Sequence, residues 1–331
     1  MKMSTIPRPV GTTQSLAKFL FRASPAIWHR LAEDRKRAVV PAPRIPDFSA
    51  WSDTGIHAAW IGHSTVLLRV DGFTILTDPV FSTKIGVEVG RYIVGMKRLV
   101  HPAVELARLP APNLILLSHA HMDHFDVPAL RKLEQRGTAV VTAASTSDLL
   151  RVKGYKSVQE LRWDESCQIG PAKIRAFEVA HWGARKRTDV HRGYNGYLIE
   201  VGRHRIIFGG DTAQTDSFRR LRSSKPLDLA IMPIGAYDPW IHAHCTPEQA
   251  LAMANDAGAE FVLPVHHQTF KLGNEGYREP IERLLLAAGS GEDRIAVRDI
   301  GDEFRPGVRS AAYAGPTRPG ARGRAEMPGL R

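Results

Sequence analysis

Leu114-Ile115-Leu116-Leu117-Ser118-His119-Ala120-His121-Met122-Asp123-His124-Phe125-Asp126 is the most informative run of this chain. Its apolar start reads as a buried strand. Alternate residues of an extended chain share a face, so His119 and His121 project the same way, with Cα atoms roughly 6.6 Å apart. Their ring nitrogens can then converge on one ion at about 2.0–2.1 Å, the usual zinc–nitrogen distance. Asp123 and His124 follow where the strand should turn, and can aim at a second ion. Asp126 reads as the N-cap of a helix over Val127–Arg136, with Pro128 in its first turn and Gly137 at its end. The chain holds 14 His and 34 Asp+Glu in 331 residues. Taking positions as independent, a His-x-His-x-acid-His run arises by accident in on the order of a few such chains per thousand. Metal ligation outweighs a chance cluster of solvated histidines.

Outward from this run, strand signals come first and alternate with helices later. Ala58 to Val70 leads into Asp71-Gly72 and then Phe73–Thr77, and Asp-Gly between apolar runs predicts a hairpin. Further strands are expected over Ala139–Thr142, Ile174–Val179, Tyr197–Val201, Arg205–Phe208, Leu229–Pro233 and Phe261–Val265. Helices are expected over Thr146–Val152, Ser217–Arg222, Pro247–Ala257 and Glu279–Ala288. Thr246-Pro247-Glu248-Gln249 has the form of a capping box with Pro at the first helical position. The order suggests an α/β sandwich of two sheets with helices outside. Periodicity alone leaves a doubly wound fold open.

Residues 1–50 read as a basic extension ending in the Pro-rich connector Val40–Pro46, residues 51–305 as the folded body, and residues 306–331, rich in Pro, Gly and Arg, as a disordered tail. The net charge of +11 sits in the two ends. Nine Lys/Arg face three acids in residues 1–50, six Arg face Glu326 alone in 305–331, and residues 51–304 are formally neutral. A groove that tracks a phosphate backbone should charge the body itself, so no nucleic-acid partner is expected. Cys167 and Cys245 are too few for a disulfide scaffold and fit a reducing compartment. Lys18 and Arg22 interrupt the one candidate signal-peptide core, and no run approaches the roughly 20 apolar residues of a membrane span. The expected location is cytoplasmic. Segment 14–37 has the makings of a basic amphipathic helix that lies on a membrane surface, though a helix packed on the body explains the same pattern.

If the His119–His124 run begins a metal site, further ligands should follow other strand ends. His181, Asp211 and His266 do so, and Gly209-Gly210 allows a tight turn beside Asp211. In order along the chain, Asp78 within Thr77-Asp78-Pro79, the His119–His124 run, His181, Asp211 and His266 resemble the five signatures of the metallo-β-lactamase fold superfamily, across about residues 57–270. Trp60-Ile61-Gly62-His63-Ser64-Thr65, Leu76–Ser82, Pro233–Tyr237 and Thr269-Phe270 look like its N-acyl-phosphatidylethanolamine phospholipase D branch. The resemblance implies a four-layer αββα sandwich with two divalent ions, zinc by default and manganese or iron as alternatives. It implies that His119, His121 and His181 hold one ion, that Asp123, His124 and His266 hold the other, and that Asp211 bridges them. It favours His266 over the adjacent His267. Two departures stand out: Tyr237–His244 is shorter than in the phospholipid-cleaving members, and Ala243 stands where they carry a Gln.

The implied chemistry is attack by metal-bound hydroxide on a lipid-like or small phosphodiester, with Asp123 orienting or accepting the nucleophile's proton. His244 is expected to steady the leaving oxygen, or else simply to precede the Thr246 cap. His63 and Asp78 are expected to orient ligands. Tyr237 and Trp240 are candidates for the cleft wall or for the core. A lactonase, thioesterase or RNA-processing hydrolase on the same centre is the alternative, and a redox or metal-binding protein a more distant one. The neutral body argues against the nuclease. Oligomeric state leaves no mark in the sequence.

Overall fold

The computed structural model describes residues 36–89, 92–186 and 188–307. One sheet is built from β1 (Ile56–Gly62), β2 (Thr65–Val70), β3 (Phe73–Thr77), β6 (Leu114–Leu117), β7 (Ala139–Ala143), β8 (Ser157–Leu161) and β15 (Glu303–Phe304), in the order β15-β1-β2-β3-β6-β7-β8. The other is built from β9 (Ser166–Ile169), β10 (Ala172–Phe177), β11 (Gly196–Val201), β12 (His204–Phe208), β13 (Leu227–Pro233) and β14 (Ala259–Val265), in the order β14-β13-β12-β11-β10-β9. A separate hairpin pairs β4 (Lys84–Val89) with β5 (Tyr92–Lys97).

Burial explains the layering. In β6, Leu114 and Leu116 join the core between the sheets, with Ile75, Val141, Ile206, Phe208 and Leu263. Ile115 and Leu117 point the other way, against Leu130 of helix α1 (Val127–Leu133). A strand buried on both faces shows no polar alternation, which is why this run is apolar throughout. The second sheet repeats the pattern: Ile207, Ala230, Met232 and Val262 pack under α2 (Pro247–Ala257) and α3 (Glu279–Ala288). The molecule is the expected αββα sandwich. Strands β3, β6, β7 and β8 run parallel, as do β12, β13 and β14, so the carboxyl ends of each set share one edge.

Several local expectations needed correction. The run Ala58–Val70 is two strands, because the chain turns at His63, whose φ is 51°. Helix α1 stops at Leu133, where Glu134 turns extended and its carboxylate takes the Gly154 amide. Thr146–Val152 yields only a 3-10 turn over Ser147–Leu149, because Glu160 from β8 captures the amides of Ser145, Thr146 and Ser147 at 2.7, 3.0 and 2.9 Å. Ser217–Arg222 is likewise a 3-10 helix, Asp216–Leu221. Strand β10 ends at Phe177, two residues before the predicted Val179. The β4–β5 hairpin, β8, β9 and β15 were not anticipated. In that hairpin Gly86 faces Gly95, and a Cβ on either would lie 2.2 or 1.9 Å from a carbonyl oxygen of the partner strand. The connector follows the body: Val40 bridges Val100, and Arg44 Nη1 lies 2.8 Å from Asp302 Oδ1. The amphipathic segment 14–37, apart from its last residues, and the tail from 308 lie outside the described residues.

Candidate metal centre

Every candidate ligand leaves the carboxyl end of a strand or the loop after it. His119, His121, Asp123 and His124 follow β6, His181 follows β10, Asp211 follows β12 and His266 follows β14. Sheet pairing brings these ends to one edge, although 147 residues separate His119 from His266 in the chain.

Asp211 Oδ2 is the hub. It lies 3.0 Å from His124 Nε2, 3.1 Å from His266 Nε2, 3.8 Å from His181 Nε2 and 3.9 Å from His119 Nε2. Two four-membered sets of convergent donor atoms share this edge, His119, His121, His181 and Asp211 forming one and His63, Asp123, His124 and His266 the other, alongside the smaller groups Asp78, His119 and His124, and Asp211, His244 and His266. His121 Nδ1 and His181 Nε2 approach to 3.2 Å. Asp123 Oδ2 lies 3.1 Å from His63 Nε2, 3.5 Å from His266 Nε2 and 3.7 Å from His124 Nε2. His267 belongs to neither set: its ring stacks on Trp60 at 4.5 Å.

The backs of three rings are held. His124 Nδ1 is 2.6 Å from Asp78 Oδ2, His119 Nδ1 is 2.9 Å from Ser118 Oγ, and His181 Nδ1 is 2.9 Å from the Ala243 carbonyl oxygen. Asp78 in turn accepts from the Ser118 amide at 2.7 Å and the Ser118 hydroxyl at 2.5 Å. Such contacts fix tautomer and ring direction, so that Nε2 of all three histidines faces the shared space. Arg185 Nη1 donates to the carbonyls of Ala120 and Phe125 at 3.1 and 2.8 Å and braces the ligand loop from outside. Asp126 caps α1 through the Ala129 amide and also accepts from the Phe81 and Ser82 amides, which ties the loop after β3 to the motif.

The fronts of three rings are not satisfied by protein. His119 Nε2, His124 Nε2, His266 Nε2 and Asp211 Oδ1 are buried without a hydrogen-bond partner. His124 and His266 sit close to Asp211 yet off a hydrogen-bonding angle. Each such atom costs about 1–3 kcal/mol. Four of them facing one space fit divalent ions, whose preferred ligands here are imidazole nitrogen and carboxylate oxygen. The backbone is also set in conformations that non-glycine residues rarely adopt: φ is 51° at His63, 27° at Asp78 and 65° at His266. Such strain persists where surrounding contacts impose it.

The charges divide in the same way. Burial holds the His119 ring well below its usual range, and burial pushes His181 down to about 3. For His124 and His266 burial again opposes the charged form, but Asp211 and Asp123 outweigh it, raising His124 well above its usual value and His266 to about 9. Burial would raise Asp123 and Asp211; the charged His124 beside them holds both well below the carboxylate range. Burial lowers His63 to about 3 and His244 to about 4.

His244 is inside the cluster, with Nδ1 at 3.9 Å from Asp211 Oδ2 and its ring 5.1 Å from that of His266. Tyr237 lies in the core, its hydroxyl 2.8 Å from Glu279 Oε1, whereas Trp240 is 44% exposed. The sequence reading gave His63 only an orienting part; the fold sets it among the donors around Asp123. It missed Ser118, Arg185 and the half-exposed Trp182, whose ring lies 4.8 Å from that of His121. Ser118 and Trp182 had a local signal, their places next to His119 and His181.

A family model described as a β-lactamase superfamily domain matches residues 74–267. An uncharacterised protein of Mycobacterium tuberculosis is 33% identical over 85% of this chain and 77% of its own length. An N-acyl-phosphatidylethanolamine-hydrolyzing phospholipase D of Caenorhabditis elegans is 28% identical over 80% of this chain and 79% of its own. A metal-dependent hydrolase of Shouchella clausii is 27% identical over 71% and 93%. Among solved structures, an isothiocyanate hydrolase from Delia radicum gut bacteria superposes with a TM-score of 0.60 at 17% identity, over 77% of this chain and all of that one.

Proposed function

Because the chain belongs to the β-lactamase superfamily, we propose that it is a metal-dependent hydrolase, and within that class a phosphodiesterase of the phospholipase D type acting on a lipid-like or small phosphodiester. The observation that carries the metal dependence is the set of unpartnered ring nitrogens around Asp211. The phosphodiester rests on the Caenorhabditis elegans relative, an N-acyl-phosphatidylethanolamine-hydrolyzing phospholipase D. His119, His121, His181 and Asp211 would hold one ion, and Asp123, His124, His266 and Asp211 the other. Zinc is the default, with manganese or iron as alternatives. Bound there, such ions supply Lewis acidity and make water acidic enough to ionise near neutral pH.

The protein's own groups divide the remaining work. The Asp123 side chain is 14% exposed against 1% for Asp211, so Asp123 is the carboxylate able to accept a proton at the edge of the site. His63 Nε2, 3.1 Å away, holds it in place. His244, lowered to about 4 by burial, is neutral at pH 7 and offers one N–H to the leaving oxygen rather than a proton. Ala243 has no side chain to reach a substrate, and this favours keeping lactone and thioester hydrolysis as the second reading. A peripheral membrane contact through the basic extension belongs to the first.

The test joins metal analysis to a panel of bis-p-nitrophenyl phosphate, N-acyl-phosphatidylethanolamine, a lactone and a thioester. We expect about two ions per chain and phosphodiester turnover that falls by about 10²-fold or more in His121→Ala and Asp123→Ala. In His244→Ala, kcat should fall by about 10²-fold with metal content unchanged. Turnover of the lactone or thioester alone would replace the phosphodiester by the second reading.

A further inference from the structure

A cavity of about 240 Å³ lies behind His266, under the loop from Phe270 to Tyr277. It shares His266 with the metal cluster. Its other walls include His267, Gln268, Phe270 and Glu275, which the hydrolase mechanism leaves without a task. Three of these carry buried polar atoms with no hydrogen-bond partner: both ring nitrogens of His267, Gln268 Oε1 and Glu275 Oε2. His267 and Gln268 are 4% and 3% exposed.

Neighbouring contacts settle which atoms are spare. Gln268 Nε2 donates to the Arg298 carbonyl at 3.0 Å, leaving the amide oxygen. Glu275 Oε1 accepts from the Ala236 amide, leaving Oε2. A Cβ at position 273 would stand 2.0 Å from that same Oε2, so Gly273 makes room for the carboxylate. His267 is clamped by Trp60, and Gln268 holds a φ of 58°. Rigid, buried acceptors without donors are costly, and a strained backbone holds one of them in place.

We propose that this cavity receives a primary ammonium group, which donates to Glu275 Oε2, Gln268 Oε1 and a ring nitrogen of His267. Three N–H donors and one positive charge match three acceptors of which one is a carboxylate. The adjoining apolar surface of Leu99 and Phe270 suits the carbon that bears the nitrogen. An anionic ligand is refused by Glu275. Whether the ammonium arrives on a substrate or as a free amine is a separate question, and only the first version rests on the hydrolase reading.

Metal-loaded full-length protein is titrated by calorimetry with ethylammonium chloride, against tetraethylammonium and potassium chlorides at equal ionic strength. Saturable binding of ethylammonium alone is expected, weakened about tenfold or more in Glu275→Gln, the factor one charge-assisted hydrogen bond carries. Metal content checks that the variant is folded, and Gln268→Leu serves if Glu275→Gln is not. No saturable heat, equal binding of potassium, or undiminished binding by both variants would each overturn the site. Lys271 also borders the cavity; binding that appears only in Lys271→Met would name the chain's own ammonium as the occupant and overturn it too. Comparing aminoethyl and hydroxyethyl aryl phosphodiesters separates the two sources. Turnover of neither, with ethylammonium still bound, would count against the hydrolase reading and leave the cavity site standing.

Discussion

Asp78 shows how one carboxylate can organise a candidate metal centre from behind its rings. Burial raises its pKa, and the bonds from His124 and Ser118 oppose that shift. It joins the Ser118 amide and hydroxyl to the His124 ring, so Asp78→Asn replaces an acceptor by a donor at the point where His124 Nδ1 needs one. We expect metal affinity to fall by about 10–100-fold, the usual cost of losing such an orienting partner, as read by chelator competition. The same residues set a pH dependence. Without metal, His124 and His266 carry protons above neutrality, and His266 titrates near 9. Metal must displace these protons, so loading at pH 7 should release about two per chain, measurable by calorimetry in buffers of different ionisation enthalpy. Affinity should therefore rise with pH up to about 9. Stability of the metal-free protein runs the other way: the contribution of His266 is complete below its unfolded value of 6.5 and is lost as pH climbs through about 9. Melting in excess chelator at several pH values checks this; a midpoint that rises over the window would contradict it.

At the scale of elements, the ligands are held by strand ends and by the small residues beside them. Gly235 follows β13, and a Cβ there would stand 2.2 Å from the His266 carbonyl oxygen. Gly235→Ala must push the end of β14 outward. We expect a stability loss of about 1–3 kcal/mol, as for other overpacked sites, seen in the denaturant midpoint. Occupancy of the ion proposed for Asp123, His124 and His266 should fall more than that of its proposed neighbour. Element prediction succeeded where local chemistry was decisive. The capping box at Thr246 is formed, with the Thr246 amide 2.9 Å from Gln249 Oε1, and α2 and α3 keep their expected limits. It failed at Ser147–Leu149 because the competing acceptor, Glu160, comes from another strand.

For the whole molecule, the connector is part of the fold's edge. Val40 pairs with the Val100 segment, the Arg44 amide donates to the Ile300 carbonyl at 3.4 Å, and the Arg44 guanidinium forms an ion pair with Asp302 at 2.8 Å. Deleting residues 1–35 should leave melting temperature and turnover of a soluble phosphodiester unchanged while weakening binding to anionic liposomes; intact liposome binding would dispose of the membrane-arm proposal. Deleting residues 1–46 should also lower the melting temperature by a few degrees, about what the loss of 1–2 kcal/mol produces in a domain of this size. Candidate donors after strand ends were legible from the apolar runs that precede them, whereas the superfamily and the four-layer sandwich were legible through the resemblance of the ordered signatures, since periodicity alone left a doubly wound fold open. Tertiary packing alone decided that His63 meets Asp123, that Asp78 holds the His124 ring together with the Ser118 amide, and that Glu275 lines a cavity behind His266. The hydrogen bonds of His63 and Asp78 join residues 40 to 60 positions apart, and no local pattern of side chains encodes a distance that only the assembled sheet creates.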